Sequence, residues 1–345
     1  MSQKRINYID YLKIMAIFGV VLSHSLANTL AGKMFTAQWD WANFFLGIVS
    51  PSVGIFFMVS GALILTSPHT NDLHYLFTHR LVKIVVPFLI WAGITIAVFN
   101  RTIPGFSANI WFHKFLTIYN QFPSTAFWFM YPLIGFYLLS PMIKAFVDKA
   151  SLRVVDYVIL LWFITNILLP FIVQIMPSRY AIYLSYQPKF SLILLGQTFG
   201  YFLIGYRLHK TPIKRPKVKW NFILTITLLA LTIGLNYLNA KKITNIPVIG
   251  YESPIAVIFT AEIFWTIKKW SVRNPLVDKF KNITPLFSSL AYGIYLSHGV
   301  IMSILETVLN VHNFVIVFVL TSIICLLLTY LVSRIPKVRY TLFGI

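Results

Sequence analysis

Ile9-Asp10-Tyr11-Leu12-Lys13-Ile14-Met15-Ala16-Ile17-Phe18-Gly19-Val20-Val21-Leu22-Ser23-His24 lies inside an apolar run that extends from Tyr8 to about Leu30. A run of about 20 residues, rising 1.5 Å per residue as a helix, crosses the roughly 30 Å of hydrocarbon in a bilayer. Its basic start followed by an apolar stretch is also the pattern of a signal peptide, but the run is long and has no convincing small-residue cleavage site. It is therefore expected to stay as a first membrane helix. Runs of the same kind recur near 44–66, 79–100, 126–147, 153–176, 190–208, 219–239, 246–267, 284–307 and 313–334. Of the 345 residues 58% are hydrophobic and 11% charged, and mean hydropathy is +0.76, whereas a water-soluble domain carries about 25% charged residues. The expectation is an all-α membrane protein of about ten transmembrane helices, residues 1–345 forming a single polytopic domain.

Lys and Arg outnumber Asp and Glu 29 to 9. A nucleic-acid binder would gather that charge on a polar surface. Here it lies between apolar spans, so no nucleic-acid partner is expected, and membrane lipids are. With the N-terminus inside, Lys4, Arg5, Arg80, Lys83, Lys144, Lys149, Arg153, the basic run from Arg207 to Lys219, Lys268, Lys269, Arg273, Lys279, Lys281, Arg334, Lys337 and Arg339 all fall on the cytoplasmic side. The opposite side holds only Lys33, Arg101, Lys114, Arg179, Lys189, Lys241 and Lys242. The positive-inside rule then places both termini in the cytoplasm of a multi-pass protein of the cell membrane. The single cysteine, Cys325, lies in the last span and rules out a disulfide framework. By eye the chain shows no internal repeat of the transporter kind. Pro51, Pro87, Pro132, Pro141, Pro170 and Pro254 sit in or at the ends of spans and indicate shaped helices.

Ionisable side chains inside a bilayer cost a few kcal/mol each, so those that persist are functional candidates. The first helix carries Asp10, Lys13 and His24. Lys13 and His24, eleven residues apart, share a helix face about three turns and 16 Å apart. Asp10 stands one turn below Lys13, close enough to pair with it and lower the cost of both charges. A cation near the cytoplasmic surface is thus aligned with an imidazole deep in the membrane, an arrangement for a long ligand entering from the cytoplasm. The competing structural readings are a snorkelling Lys13 and a His24 satisfied by a neighbouring helix. Because imidazole changes charge near neutral pH, His24 is the natural group to take a proton from a hydroxyl nucleophile.

This opening, with a cation and a histidine separated by ten residues, resembles the first helix of the type-three family of integral-membrane O-acyltransferases. Gly54-Ile55-Phe56-Phe57-Met58-Val59-Ser60-Gly61 is similar to that family's second-helix signature. Phe77-Thr78-His79-Arg80-Leu81-Val82-Lys83-Ile84-Val85-Val86-Pro87 is similar to its basic pair at the start of the third. Phe127-Trp128-Phe129-Met130-Tyr131, Gly200-Tyr201-Phe202-Leu203-Ile204-Gly205-Tyr206 and Leu290-Ala291-Tyr292-Gly293-Ile294-Tyr295-Leu296-Ser297-His298 continue the resemblance in order along nearly the whole chain. It implies acetyl-CoA, or another acyl-CoA, as co-substrate, approaching from the cytoplasm. The acyl group would pass to a hydroxyl of an envelope polysaccharide or its lipid-linked precursor, alongside polysaccharide-biosynthesis partners. His24 takes the place of the catalytic histidine and Lys13 that of the motif cation. Arg80 and Lys83 take that of the basic pair, suited to coenzyme A phosphates. At Lys13 and Lys83 the family usually shows Arg, so bidentate contacts are lost, and Ala126 stands where many members have His.

His298 is a second candidate, able to orient the acceptor or shuttle a proton. Ser60 beside Gly61 reads as a close-packing pair rather than a nucleophile. Glu252 and Glu306 fall near the outer face and Glu262 deeper, where an outer carboxylate could meet sugar hydroxyls, and Trp128 could offer a sugar platform. No cluster of His and carboxylates has metal-ligand spacing, so no metal is expected. The extra hydrolase-like domain that some family members carry after the last helix is not expected here. A transporter or flippase of a lipid-linked or small organic substrate is the alternative of a different class.

Overall fold

Among the described residues the apolar runs form helix over most of their length, because a backbone removed from water must satisfy its own N–H and C=O groups within the segment. The computed structural model describes residues 6–177, 181, 196–213, 218–272, 280 and 282–345. Lys4, Arg5, Arg179, Lys189, Lys214, Arg215, Lys217, Arg273, Lys279, Lys281 and the first part of the expected 190–208 span lie outside the described residues. Among the described residues, fourteen α-helices of seven residues or more frame the molecule: α1 (Asn7–Ser25), α2 (Ala37–Val49), α3 (Ser52–Ile64), α4 (Leu81–Asn100), α5 (Ala108–Leu116), α6 (Met130–Lys149) and α7 (Leu152–Trp162) in the first half. In the second half are α8 (Leu169–Ile175), α9 (Phe199–Lys210), α10 (Lys219–Ala240), α11 (Pro254–Ser271), α12 (Thr284–Thr307), α13 (Phe314–Ser333) and α14 (Pro336–Phe343).

Eight continuous helical stretches among the described residues are long and apolar enough to cross a membrane: Asn7–Ala31, Ala37–Ile64, Leu73–Asn100, Thr125–Lys149, Leu152–Ile175, Lys219–Ala240, Thr284–Thr307 and Phe314–Ser333. They coincide with eight of the ten runs expected from sequence. The other two runs correspond to α9, of which twelve residues are described, and to α11. α11 begins at Pro254 rather than 246, because Ser253 caps it by accepting from Ala256 N–H and proline suits a first helical position. Thr36, Ser107, Ser151 and Asn313 cap α2, α5, α7 and α13 in the same way. Exposed side chains such as Leu161, Ile226 and Leu327 belong to a surface whose solvent is lipid.

Contacts fix the direction of each helix. At one end of the bundle Tyr8 of α1 meets His209 of α9, and Asp10 meets Ser288 of α12. Lys144 near the end of α6 reaches the Leu65 carbonyl just after α3, and Tyr206 of α9 reaches the Val147 carbonyl. Arg207 grips Asp156 of α7 through Nε at 2.7 Å and Nη2 at 3.0 Å. Lys268 of α11 donates to the carbonyls of Leu208, His209 and Thr211, and Lys269 to Asn221 of α10. The starts of α1, α7, α10 and α12 therefore share one end with the finishes of α3, α6, α9 and α11.

α3 and α9 approach most closely, through glycines. A Cβ at Gly61 would stand 1.8 Å from the Phe202 carbonyl oxygen and one at Gly205 would stand 1.9 Å from that of Met58. These reciprocal small-residue contacts let the two backbones touch. α14 returns along α4 after the last long helix, and buried Phe343 stacks on Trp91, whose Nε1 donates to the Leu342 carbonyl at 2.9 Å. The site is built where α1, α3, α4, α12 and this returning segment meet.

Candidate active site

α1 and α12 run side by side in the same direction, pinned at one end by the 2.5 Å hydrogen bond from Ser288 Oγ to Asp10 Oδ1. Sequence reading paired Asp10 with Lys13; the partner on α12 was hidden because local helix arithmetic sees only its own helix. Fourteen residues further along α1, His24 meets His298 of α12, the ring centroids 5.2 Å apart and the planes at 42°. Asp10 is thus about 21 Å from His24 along the axis, at the far end of the shared seam.

His298 is buried, and its Nδ1 lies 2.5 Å from the Tyr295 carbonyl oxygen. A carbonyl only accepts, so Nδ1 carries the proton and Nε2 presents a lone pair. No group among the described residues satisfies Nε2, although it is buried. An unsatisfied buried acceptor costs stability unless a ligand supplies the donor. The seam therefore holds a half-buried imidazole beside one whose tautomer is fixed and whose free nitrogen awaits an O–H or N–H.

A cavity of ≈ 520 Å³ lies between the pinned end and the imidazoles, and it gathers the three expected cations, Lys13, Arg80 and Lys83. Ser60, Ser67, Tyr137, Ser288, Tyr292, Tyr295 and Gly344 share its walls. Tyr295 closes the inner end, with its ring 5.8 Å from that of His298 and its hydroxyl donating to the Ala126 carbonyl at 2.7 Å. Tyr292 donates to the Ile84 carbonyl at 2.7 Å. Arg80 is held by hydrogen bonds from Nη1 to Thr70 Oγ1 at 2.9 Å and from Nη2 to Ser67 Oγ at 2.5 Å, leaving its remaining N–H groups for an anion. Lys83 is exposed, with its ammonium 5.6 Å from the centroid of the Tyr340 ring. Gly344 is required beside it: φ is +65°, and a Cβ there would lie 2.0 Å from the Lys83 carbonyl oxygen.

Ser60 donates to the Phe56 carbonyl at 2.8 Å and lines the cavity while Gly61 makes the helix contact, as its packing reading requires. Trp128 is stacked on Tyr251 at 4.7 Å, so one face is already covered. The Tyr251 hydroxyl, in the loop before α11, is pushed up to about 12 by burial and then by the Glu252 charge, and stays protonated. Glu306 hydrogen-bonds Asn28 one turn beyond His24, whereas Glu262 accepts from Asn221 at 2.5 Å in the α10–α11 contact, away from the seam. Among the described residues no group of His, Cys, Asp or Glu is placed to hold a metal ion. Sequence reading missed Ser67, Thr70 and Ser288 as supports, and Tyr340 and Gly344 as part of the cavity rim.

A basic cavity thus leads along one helix seam to a half-buried and a buried imidazole within a multi-pass bundle of apolar helices. The acyltransferase domain model of the type-three family matches residues 6–334, and the chain belongs to that family. It is a membrane acyltransferase. Among curated proteins and among solved structures, none matches it significantly.

Proposed function

We propose that the protein is an acyl-CoA-dependent O-acyltransferase of the cell membrane. In this reading it moves an acyl group, most simply acetyl, to a hydroxyl of an envelope polysaccharide or its lipid-linked precursor. The observation that carries the reading is the placement of Lys13, Arg80 and Lys83 around one cavity whose inner wall, Tyr295, touches the His24–His298 pair. Phosphates of coenzyme A sit among the cations, and the pantetheine arm follows the α1–α12 seam. The acceptor oxygen attacks the thioester carbon while His24 takes its proton. The tetrahedral intermediate collapses with cleavage of the C–S bond, and the leaving thiolate receives that proton as free coenzyme A. His298, with Nε2 as acceptor, takes a hydrogen bond from a neighbouring hydroxyl of the acceptor and so holds the attacking oxygen in line. Membership in an acyltransferase family weighs against a transporter. Alternation of helix ends through α9 and α11 supports ten crossings with both termini in the cytoplasm.

Purified protein supplied with acetyl-CoA should release free thiol only when an acceptor glycan is present. His24→Ala should bind acetyl-CoA as the parent does and lose about 10² to 10⁴ in turnover. Loss of donor binding and thermal stability in parallel with activity would return His24 to a structural role. Envelope glycans from cells with and without the gene, compared by mass spectrometry, should differ by a base-labile acyl increment.

A further inference from the structure

Outside the cavity, on the short segment that leads into α4, three aromatic rings gather in a way the acyl-transfer chemistry does not use. His69 lies 4.9 Å from Tyr75 by ring centroids, and Tyr75 stacks on His79 at 4.8 Å with the planes at 12°. His79 is exposed and Tyr75 half-buried. The backbone here is a π-turn over Leu76–Arg80, a widened turn that recurs at functional sites. Widening brings residues five apart onto one face, and Arg80 accordingly sits 5.7 Å from the centroid of Tyr75. The same Arg80 lines the cavity and is tied to Ser67 and Thr70, the neighbours of His69. The ring cluster thus adjoins the basic cavity through Arg80, which belongs to both.

We propose that this cluster, the stacked Tyr75–His79 pair with His69 tilted against Tyr75, is a docking platform for a purine ring, the adenine of the acyl donor, with His79 as its exposed ring. The inference rests on the acyl-CoA reading above and extends it to the nucleotide end. If the phosphates lie between Arg80 and Lys83 and the pantetheine arm runs inward past Tyr292 to Tyr295, the adenosine must leave outward from Arg80. The first surface it meets there is flat, aromatic and edged by a guanidinium. A flat π-face of this kind binds a base by stacking without reading its edges. An i,i+4 ring pair such as Tyr75 and His79 also steadies a helix turn, so the test must separate ligand from scaffold.

The measurement is the affinity of the full-length detergent-purified protein for coenzyme A and for 4′-phosphopantetheine, which keeps the arm and one phosphate but has no adenosine. His79→Ala should weaken coenzyme A about 5- to 30-fold and leave 4′-phosphopantetheine unchanged, and His79→Trp should restore the loss. Equal weakening of both ligands, or no change in either, would overturn the platform while leaving the donor reading intact. A parent protein that binds neither ligand would overturn the donor reading and the platform with it.

Discussion

In the acyl-CoA reading proposed above, Arg80 is a cation tethered in advance of its anion. Its guanidinium is held by Thr70 and Ser67 before any ligand arrives, so less side-chain freedom is lost on binding than for a lysine on a flexible stem. Thr70→Val keeps the shape and removes one tether, and should weaken acyl-CoA binding by up to about tenfold. With Arg80→Gln already in place the second change should cost little, since two residues acting through one contact are non-additive. Full additivity in that cycle would detach Thr70 from the site. Arg80→Gln itself should weaken acetyl-CoA far more than a short thioester without phosphates. Equal losses for both would leave Arg80 as an ordinary topology charge. At His298, replacement by Phe keeps ring volume and removes both nitrogens; turnover should fall about 10²-fold or more with donor binding retained. Lys13 and His24 stand out in the sequence by residue type and spacing, Arg80 and Lys83 only through the family resemblance, and His298 as a further candidate. Their supports do not, because Thr70 and Ser288 are unremarkable until the fold sets them against Arg80 and Asp10.

At the scale of elements, the α3–α9 contact is the most demanding packing in the molecule. Gly61→Ala would drive a methyl into the Phe202 carbonyl, and Gly205→Ala one into that of Met58. Backbone cannot give way as a side-chain tip does, so each should destabilise the protein by about 1–3 kcal/mol, read as a lowered melting temperature in detergent. Gly135→Ala is the control: nothing lies within 4 Å of its added Cβ inside α6, and the helix should gain up to about 1 kcal/mol. Comparable losses at all three positions would show that the detergent-solubilised helices do not pack this way. Hydropathy located the long helices well because length and apolarity are what a bilayer selects. It misplaced the start of α11, where Ile246 and Val248 look like span but Ser253 supplies the cap. It also treated the residues after Arg334 as a plain tail. A helix of eight residues anchored by one phenylalanine, Phe343 on Trp91, carries no hydropathy signal.

For the whole molecule the open quantity is how the chain is threaded through the bilayer, and helix direction constrains it more tightly than hydropathy does. Asp10–Ser288 at one end and His24–His298 at the other make α1 and α12 parallel. Between them lie five of the long stretches together with α9 and α11. Parallel running requires an odd number of intervening crossings, so α9 and α11 either both cross or both fail to. α10 decides between these. Asn221, two residues into it, meets Lys269 at the end of α11, while Asn236 near its far end meets Asn43 of α2. α10 therefore runs against α2 and along α1, the direction expected if the chain crosses once between α8 and α10. Ten crossings is the arrangement proposed above, and with the positive-inside rule it would put the Arg80–Lys83 mouth and α14 on the cytoplasmic side. A cysteine introduced at Gly32, just beyond α1, should then react with a membrane-impermeant thiol reagent in intact cells, as should one at Thr244 between α10 and α11. A cysteine at Thr211 after α9, or a tag following Ile345, should react only after the membrane is opened. Labelling of Thr211→Cys from outside would remove α9 as a crossing. An accessible C-terminus would invert the molecule and put the basic cavity on the side where acyl-CoA is absent.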